Sequence, residues 1–209
     1  MPNPQSRRRS FESTSIGQRY AAAKVPRRHT ANALAIKDKD SPKEWLTVRD
    51  KVIRRMGSGC ILALLGPRGP GKTQIAQLAV AHACAAGETA FYIRAMSIFL
   101  ELRATIGSEE PGDTELAVVA WLREPFLLVI DECQVRGETR FENTKLDHLL
   151  DLRYGDMSDT VLIANWTPAA LEESMGTSIM QRLRETGGII ECKWSSFRTS
   201  AKGKANVTK

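Results

Sequence analysis

The residues best suited to chemistry begin with the segment GPRGPGKT, which matches the pattern G-x-x-x-x-G-K-[ST] in full. Glycines in this pattern let backbone N–H groups surround a phosphate, the lysine reaches phosphate oxygens, and the final hydroxyl ligates magnesium. We therefore predict a nucleoside phosphate site in which Thr73 is a metal ligand. The predicted binding residues are Gly66, Pro67, Arg68, Gly69, Pro70, Gly71, Lys72 and Thr73.

A pair of acidic residues, Asp131 and Glu132, follows the apolar run FLLVI. Because ligands bind at the carboxyl edge of a parallel sheet, we expect Asp131 to lie beside the phosphate segment and to hold Mg2+ through water. We expect Glu132 to orient or deprotonate the attacking water. The alternative is that Glu132 is a solvated acid at the end of a strand.

Another polar residue, Asn165, follows the apolar run TVLIA. At the same sheet edge its side chain could sense the γ-phosphate by hydrogen bonding to the phosphate or to the attacking water. An Asn before Trp-Thr-Pro is otherwise a common turn residue.

The elements that must position these groups alternate along the chain. A helix is predicted from Ser41, followed by the strand CILALL, the phosphate segment and a helix that stops at Gly87. Further strands are predicted at TAFYIRA, FLLVI and TVLIA, with helices between them and a helix that opens at Pro168. Continuous apolar strands that alternate with helices predict an α/β fold whose parallel sheet is covered on both faces.

Charge is unevenly distributed along the 209 residues. Residues 1–40 carry nine Lys and Arg against three acids, residues 193–209 carry five against none, and residues 41–192 carry sixteen against twenty-one. We predict a basic, flexible N-terminal arm over 1–40, a globular domain over 41–198 and a basic, disordered tail over 199–209. The basic ends either bind nucleic acid or an acidic partner, or are simply solvated.

Composition argues against several classes of protein. The longest apolar runs, such as Cys60–Leu65, are far shorter than the ~20 residues of a membrane-spanning helix. The four cysteines form no Cys-x-x-Cys pair and fall largely in apolar segments, which predicts reduced thiols in the cytoplasm. The opening SRRRSFESTS leaves an organelle transit peptide as an alternative.

The order of these motifs resembles that of the AAA+ ATPases, and more narrowly that of the DnaC-type bacterial helicase loaders and the related IstB-like ATPases. The resemblance covers roughly residues 41–198 and implies a P-loop NTPase (AAA+) three-layer sandwich with a parallel sheet and no C-terminal lid domain. It also implies ATP and Mg2+ as cofactors and a head-to-tail homo-oligomer, either a ring or a helical filament. The matching segments are GPRGPGKT, LLVIDE, RGETRFE, LRYG, VLIANWTP and IMQRLRETGGIIECKWSSFR.

The resemblance also assigns roles to arginines. Arg182 lies where the family's arginine finger would be, and from a neighbouring subunit it could stabilise charge on the transferred phosphoryl group. Arg184, on a different side of the helix, is the fallback, and a plain surface arginine is the alternative. The helix after the second strand lines the path of single-stranded DNA in this branch. Arg94 and Arg103 are therefore candidate phosphate contacts, or else ordinary surface charges.

Three functions are compatible with these patterns. The first is an ATP-hydrolysing loader in DNA replication, which grips single-stranded DNA and holds a replicative helicase open. The second is an IstB-type transposition helper, which wraps duplex DNA and stimulates a transposase with the same ATPase core. The third is a regulatory module for which ATP is only a conformational ligand, and Glu132 argues against it.

Overall fold

The computed structural model describes residues 42–109 and 114–195, and the predicted arm over 1–40 and tail over 199–209 lie outside the described residues. Within the described ranges, helices and strands alternate as the apolar runs predict. The elements are α1 (Lys43–Arg55), β1 (Ile61–Leu65), α2 (Lys72–Ala85), β2 (Ala90–Arg94), α3 (Ala95–Ala104), α4 (Glu115–Arg123), β3 (Leu127–Asp131), α5 (Arg140–Gly155), β4 (Asp159–Ala164), α6 (Pro168–Glu185) and β5 (Gly188–Glu191).

The strands form one parallel sheet in the order β2-β3-β4-β1-β5. Every residue of β1, β3 and β4 is buried, as continuous apolar runs predict for a sheet covered on both faces. The register pairs Leu65 with Ala164 and Arg94 with Asp131. The carboxyl ends of the strands therefore meet at one edge, and the prediction of an α/β fold with a parallel sheet is confirmed.

An apolar core lies on each face of the sheet, which gives three layers. On one face α1 and α2 bury Trp45 and Ile75, and on the other α3 to α6 bury side chains that include Phe99, Leu122 and Leu183. Burial of this apolar surface is the main source of stability. All four cysteines are free thiols, and only Cys84 is exposed. None of the described helices is both long and apolar enough to cross a bilayer.

The arginine of the LRYG segment, Arg153, is a fully buried residue of α5. Burial lowers the pKa of Arg153 to about 10, although the negative charges of Asp159 and Asp156 act to raise it. Its contacts join α5 to the end of α4, to the turn before β3 and to the start of β4, so this residue supports the fold. The guanidinium donates to the carbonyl oxygens of Leu122 (3.1 Å), Arg123 (2.9 Å), Pro125 (2.9 Å) and Asp159, and to Thr160 Oγ1 (2.8 Å).

We expect R153M to lower the free energy of unfolding by about 3 kcal/mol or more, because several buried carbonyl oxygens lose their donor. Urea unfolding followed by circular dichroism measures the change. The matched control is R123M, since Arg123 forms a partly exposed ion pair with Asp156 that is worth less than about 1 kcal/mol. Equally small changes in the two variants would contradict the structural role of Arg153.

Candidate nucleotide site

The phosphate segment forms a tight turn between β1 and α2. Gly66, Gly69 and Gly71 have positive φ angles of 131°, 104° and 86°, a region that glycine enters without strain. A Cβ at Gly66 would lie 2.4 Å from the carbonyl oxygen of Cys192, so only glycine fits there. Gly71 directly precedes α2. The free N–H groups of the first turn and the helix dipole favour an anion at this place.

Lys72 lies inside this turn, and only 5% of its surface is exposed. Its Nζ donates to the carbonyl oxygens of Gly66 (2.7 Å) and Pro67 (2.6 Å) and to Asn165 Oδ1 (2.9 Å). Burial lowers the pKa of Lys72, and the nearby charge of Asp131 opposes the shift. The structure therefore brings the predicted phosphate lysine into direct contact with the predicted γ-phosphate sensor.

Asp131 ends β3 and is 4% exposed. Its Oδ2 accepts hydrogen bonds from Thr73 Oγ1 at 2.8 Å and from the Tyr92 hydroxyl, and its Oδ1 accepts from the Glu132 N–H at 2.7 Å. Burial and the charge of Asp131 raise the pKa of Tyr92, so the phenol is a neutral donor. The two predicted metal ligands, Thr73 and Asp131, thus lie side by side and offer the hard oxygen donors that Mg2+ prefers.

Glu132 follows with a left-handed backbone, at φ 57°. This conformation is strained for a residue other than glycine, by about 1–3 kcal/mol, and such strain concentrates at functional sites. The Glu132 side chain is 45% exposed, and its Oε2 lies 3.5 Å from Arg94 Nε. The carboxylate is open to water beside the buried Asp131, which suits a general base. Arg94, a candidate DNA contact, lies against this carboxylate.

Asn165 is held from two sides at the end of β4. Its side chain accepts the hydrogen bond from Lys72, and its backbone N–H donates to Gln134 Oε1 at 3.0 Å. Gln134 belongs to the loop after β3, so the loops that follow β3 and β4 are joined at the site. Sequence reasoning missed Gln134, since a glutamine two residues after the acidic pair carries no recognisable signal.

Two tryptophans outside the motif also hold the phosphate segment. Trp45 Nε1 donates to the carbonyl oxygen of Gly71 at 3.4 Å, and Trp194 Nε1 donates to that of Pro70 at 2.7 Å. The sequence patterns assign neither tryptophan to the nucleotide site. These partners lie 26 and 124 positions apart in the chain, so no local pattern indicates the contacts.

The recorded side-chain contacts of the two predicted interface arginines are with residues of α5 and α6 rather than with the phosphate segment of their own chain. Arg184 is 63% exposed and lies 3.6 Å from Glu172. Arg182 is only 17% exposed, and its partners all belong to α5 and α6. They are Asp147 (3.2 Å), Asp151, Ser178 and the ring of Tyr154, whose centre lies 5.9 Å from Arg182 Cζ.

Arg103 contacts a buried carboxylate. Its Nη2 lies 2.8 Å from Oε1 of Glu142, whose side chain is fully buried. The other oxygen, Glu142 Oε2, has no hydrogen-bond partner among the residues that the structure describes. Loss of Arg103 would leave this buried carboxylate without its cation, which is strongly unfavourable, so Arg103 has a structural role. Its side chain is 47% exposed and the guanidinium has further N–H donors, so the DNA roles of Arg103 and Arg94 both stay predictions.

A known family has a sequence model that spans this site. The model described as "IstB-like ATP binding protein" matches residues 54–205. The chain belongs to this family. The match includes the phosphate segment, the acidic pair after β3, Asn165 and the arginines of α6.

Curated relatives of this IstB-like chain come from bacteria. The protein YdaV of Escherichia coli K12 is 27% identical over 143 residues, which cover 68% of this chain and 56% of YdaV. The replicative helicase loader DnaC of Escherichia coli K12 is 24% identical over 140 residues, which cover 66% of this chain and 56% of DnaC. The chain thus matches little more than half the length of these relatives.

Solved structures share the fold. The crystal structure of the DnaC helicase loader superposes with a TM-score of 0.65 at 16% identity, over 79% of this chain and 99% of that chain. The replication initiator DnaA, bound to AMPPCP and single-stranded DNA, has a TM-score of 0.63 at 17% identity, over 81% and 51% of the two chains. The chain therefore shares the fold of DnaC and DnaA, and the predicted fold class is confirmed.

Proposed function

We propose that this IstB-like chain hydrolyses ATP at a site that a neighbouring subunit completes. Bound ATP would supply the phosphoryl group that is transferred, and Mg2+ would supply the cation that neutralises the developing charge. Lys72 would orient phosphate oxygens, Thr73 and Asp131 would hold the metal, and Glu132 would take a proton from water. The observation that carries the proposal is a pair of hydrogen bonds at one edge of the sheet. Lys72 donates to Asn165, and Thr73 donates to Asp131. The solvent-accessible carboxylate of Glu132 directly follows Asp131.

The proposed biological role is replicative helicase loading by an oligomer on single-stranded DNA in the cytoplasm. It is supported by the similarity to DnaC, which is itself a replicative helicase loader, over 140 residues. The partners would be a replicative helicase and further copies of this chain in a ring or helical filament. Arg94, at the boundary between β2 and α3, is the proposed contact to a DNA phosphate.

A second candidate function is that of a transposition helper that binds duplex DNA and acts with a transposase. The description of the matching family model, IstB-like ATP binding protein, favours this alternative. Both functions use the same nucleotide site, so the preferred form of DNA separates them.

Anisotropy of labelled single-stranded and duplex DNA of equal length, titrated with the full chain, tests the two functions. The loader proposal predicts binding to the single strand that is about tenfold tighter in ATP than in ADP or without nucleotide. The K72A variant controls for nucleotide dependence. Titrations at two salt concentrations measure how many phosphates the chain contacts in total, because each phosphate contact adds to the salt dependence.

Each other outcome has a definite meaning. An ATP-dependent preference for duplex DNA would replace the loader by the transposition helper. Equal DNA affinity in ATP, in ADP and without nucleotide would assign DNA binding to the basic ends. It would contradict DNA binding that ATP controls.

A further inference from the structure

Arg136 is a buried cation in the loop between β3 and α5, four residues beyond Glu132. Only 8% of its surface is exposed, and burial lowers its pKa. A buried guanidinium is tolerated when hydrogen bonds replace its hydration. The contacts of Arg136 therefore show which segments it joins.

Two contacts lie in the loops that carry proposed catalytic residues. Arg136 Nε donates to the carbonyl oxygen of Cys133 at 3.2 Å, and Cys133 directly follows Glu132. Arg136 Cζ lies 5.9 Å from the ring centre of Trp166, and Trp166 directly follows Asn165. The guanidinium therefore lies between the Glu132 loop and the Asn165 loop.

The remaining contacts anchor Arg136 to two helices. Its Nη1 donates to Asn143 Oδ1 on α5, and its Nη2 donates to Ser174 on α6, to the carbonyl oxygen at 3.2 Å and to Oγ at 2.7 Å. Both helices bury apolar residues in the same core against the sheet. The packed helices therefore fix the positions of the two loops. Arg182 lies on α6, and its aspartate partners lie on α5.

We propose that Arg136 is a positioning residue for ATP hydrolysis, which fixes the Glu132 and Asn165 loops to α5 and α6. The inference rests on the proposed ATPase function. The planar fork of arginine offers five N–H donors and a face that stacks on a ring, whereas lysine offers a compact point charge. The hydrogen bonds of Arg136 within the described chain all lie outside the phosphate segment. Its removal should therefore affect the chemical step more than ATP binding.

The first test is steady-state ATP turnover by full-length R136M and R136K. We expect R136M to lower kcat by about 100-fold, because displacement of catalytic groups by about 1 Å has effects of that size. The KM for ATP should stay within about threefold of the wild-type value, the pattern of an interaction made in the transition state. R136K should not restore kcat. The matched control is R123M, which removes a partly exposed arginine before β3 and should keep the wild-type kcat.

Titration with a fluorescent ATP analogue gives the number of binding sites per chain in each variant. A folded variant with slow turnover keeps one site per chain, whereas a misfolded chain loses ATP binding as well. Wild-type kcat in R136M, or a parallel loss of kcat and ATP affinity, would overturn the positioning role.

Hydrogen exchange of the nucleotide-free chain tests the same role without turnover. The Cys133 N–H donates to the Ile163 carbonyl oxygen at 3.0 Å, and the Asn165 N–H donates to Gln134, so these amides report on the two loops. R136M should speed exchange in peptides that contain them by about tenfold, while β1 keeps its protection. Unchanged exchange, or faster exchange that extends to β1, would overturn the inference. A wild-type chain that hydrolyses no ATP would instead overturn the proposed function, and the exchange result would still decide the role of Arg136.

Discussion

Replacement of Lys72 by alanine is expected to weaken ATP binding by about a thousandfold, which corresponds to about 4 kcal/mol for loss of charge-assisted hydrogen bonds in a buried site. The amine of Lys72 has three donors, and Gly66, Pro67 and Asn165 each accept one of them. When ATP binds, a phosphate oxygen has only to replace one of these neutral acceptors of the Lys72 amine. The turn already holds the amine in place, so K72A removes a contact to phosphate for which the chain is preorganised.

Isothermal titration with ATP and Mg2+ measures the affinity directly. The matched control is K51A, which removes an exposed lysine from α1 and should keep wild-type affinity. K72A also leaves the carbonyl oxygens of Gly66 and Pro67 without this donor, so a thermal melt must accompany the titration. A folded K72A chain that binds ATP as tightly as wild type would contradict the assignment of the phosphate site.

The sheet and the nucleotide site could be predicted because their signals are local. The runs that became β1, β3 and β4 are continuously apolar, which is sufficient to predict buried parallel strands. Lys72, Thr73 and Asp131 stand at fixed offsets from such strands, so their approach at one sheet edge follows from the fold class.

The residues that brace the site could not be predicted, because their partners are distant in the chain. The hydroxyl of Tyr92 reaches Asp131 only because β2 pairs with β3 in a register that places Arg94 opposite Asp131. The sequence does not state strand order, since crossover connections allow several orders. In the sequence Arg103 is either a candidate DNA phosphate contact or an ordinary surface charge, and only tertiary structure reveals its buried partner Glu142.

The role of Arg182 could not be read from its own nucleotide site, since it is proposed to act at the site of a neighbouring chain. Within its own chain the guanidinium is oriented by Asp147 and Asp151 on α5 and by the ring of Tyr154. These contacts restrict the rotamers of Arg182 on α6. A held arginine loses less conformational entropy on docking than a free one, which suits a residue that must act across an interface.

We expect R182A to bind ATP with wild-type affinity and to lose turnover by about a thousandfold or more, the range found for arginine fingers. R184A is the matched comparison, because Arg184 is more exposed and its contact with Glu172 is longer, at 3.6 Å. Turnover and ATP affinity of both variants are measured at the same protein concentration. A larger loss of turnover in R184A than in R182A would identify Arg184 as the arginine finger.

Mixing two inactive chains shows whether the site is shared. The E132Q chain lacks the proposed base and keeps Arg182, whereas the R182A chain keeps Glu132 and lacks the finger. In a head-to-tail assembly of equal parts, about one interface in four combines an intact Glu132 with an intact Arg182. The mixture should therefore recover about a quarter of wild-type turnover, and dilution should abolish it as the assembly dissociates. A mixture as inactive as its parents, although both chains bind ATP and associate, would mean that Arg182 does not act across the interface.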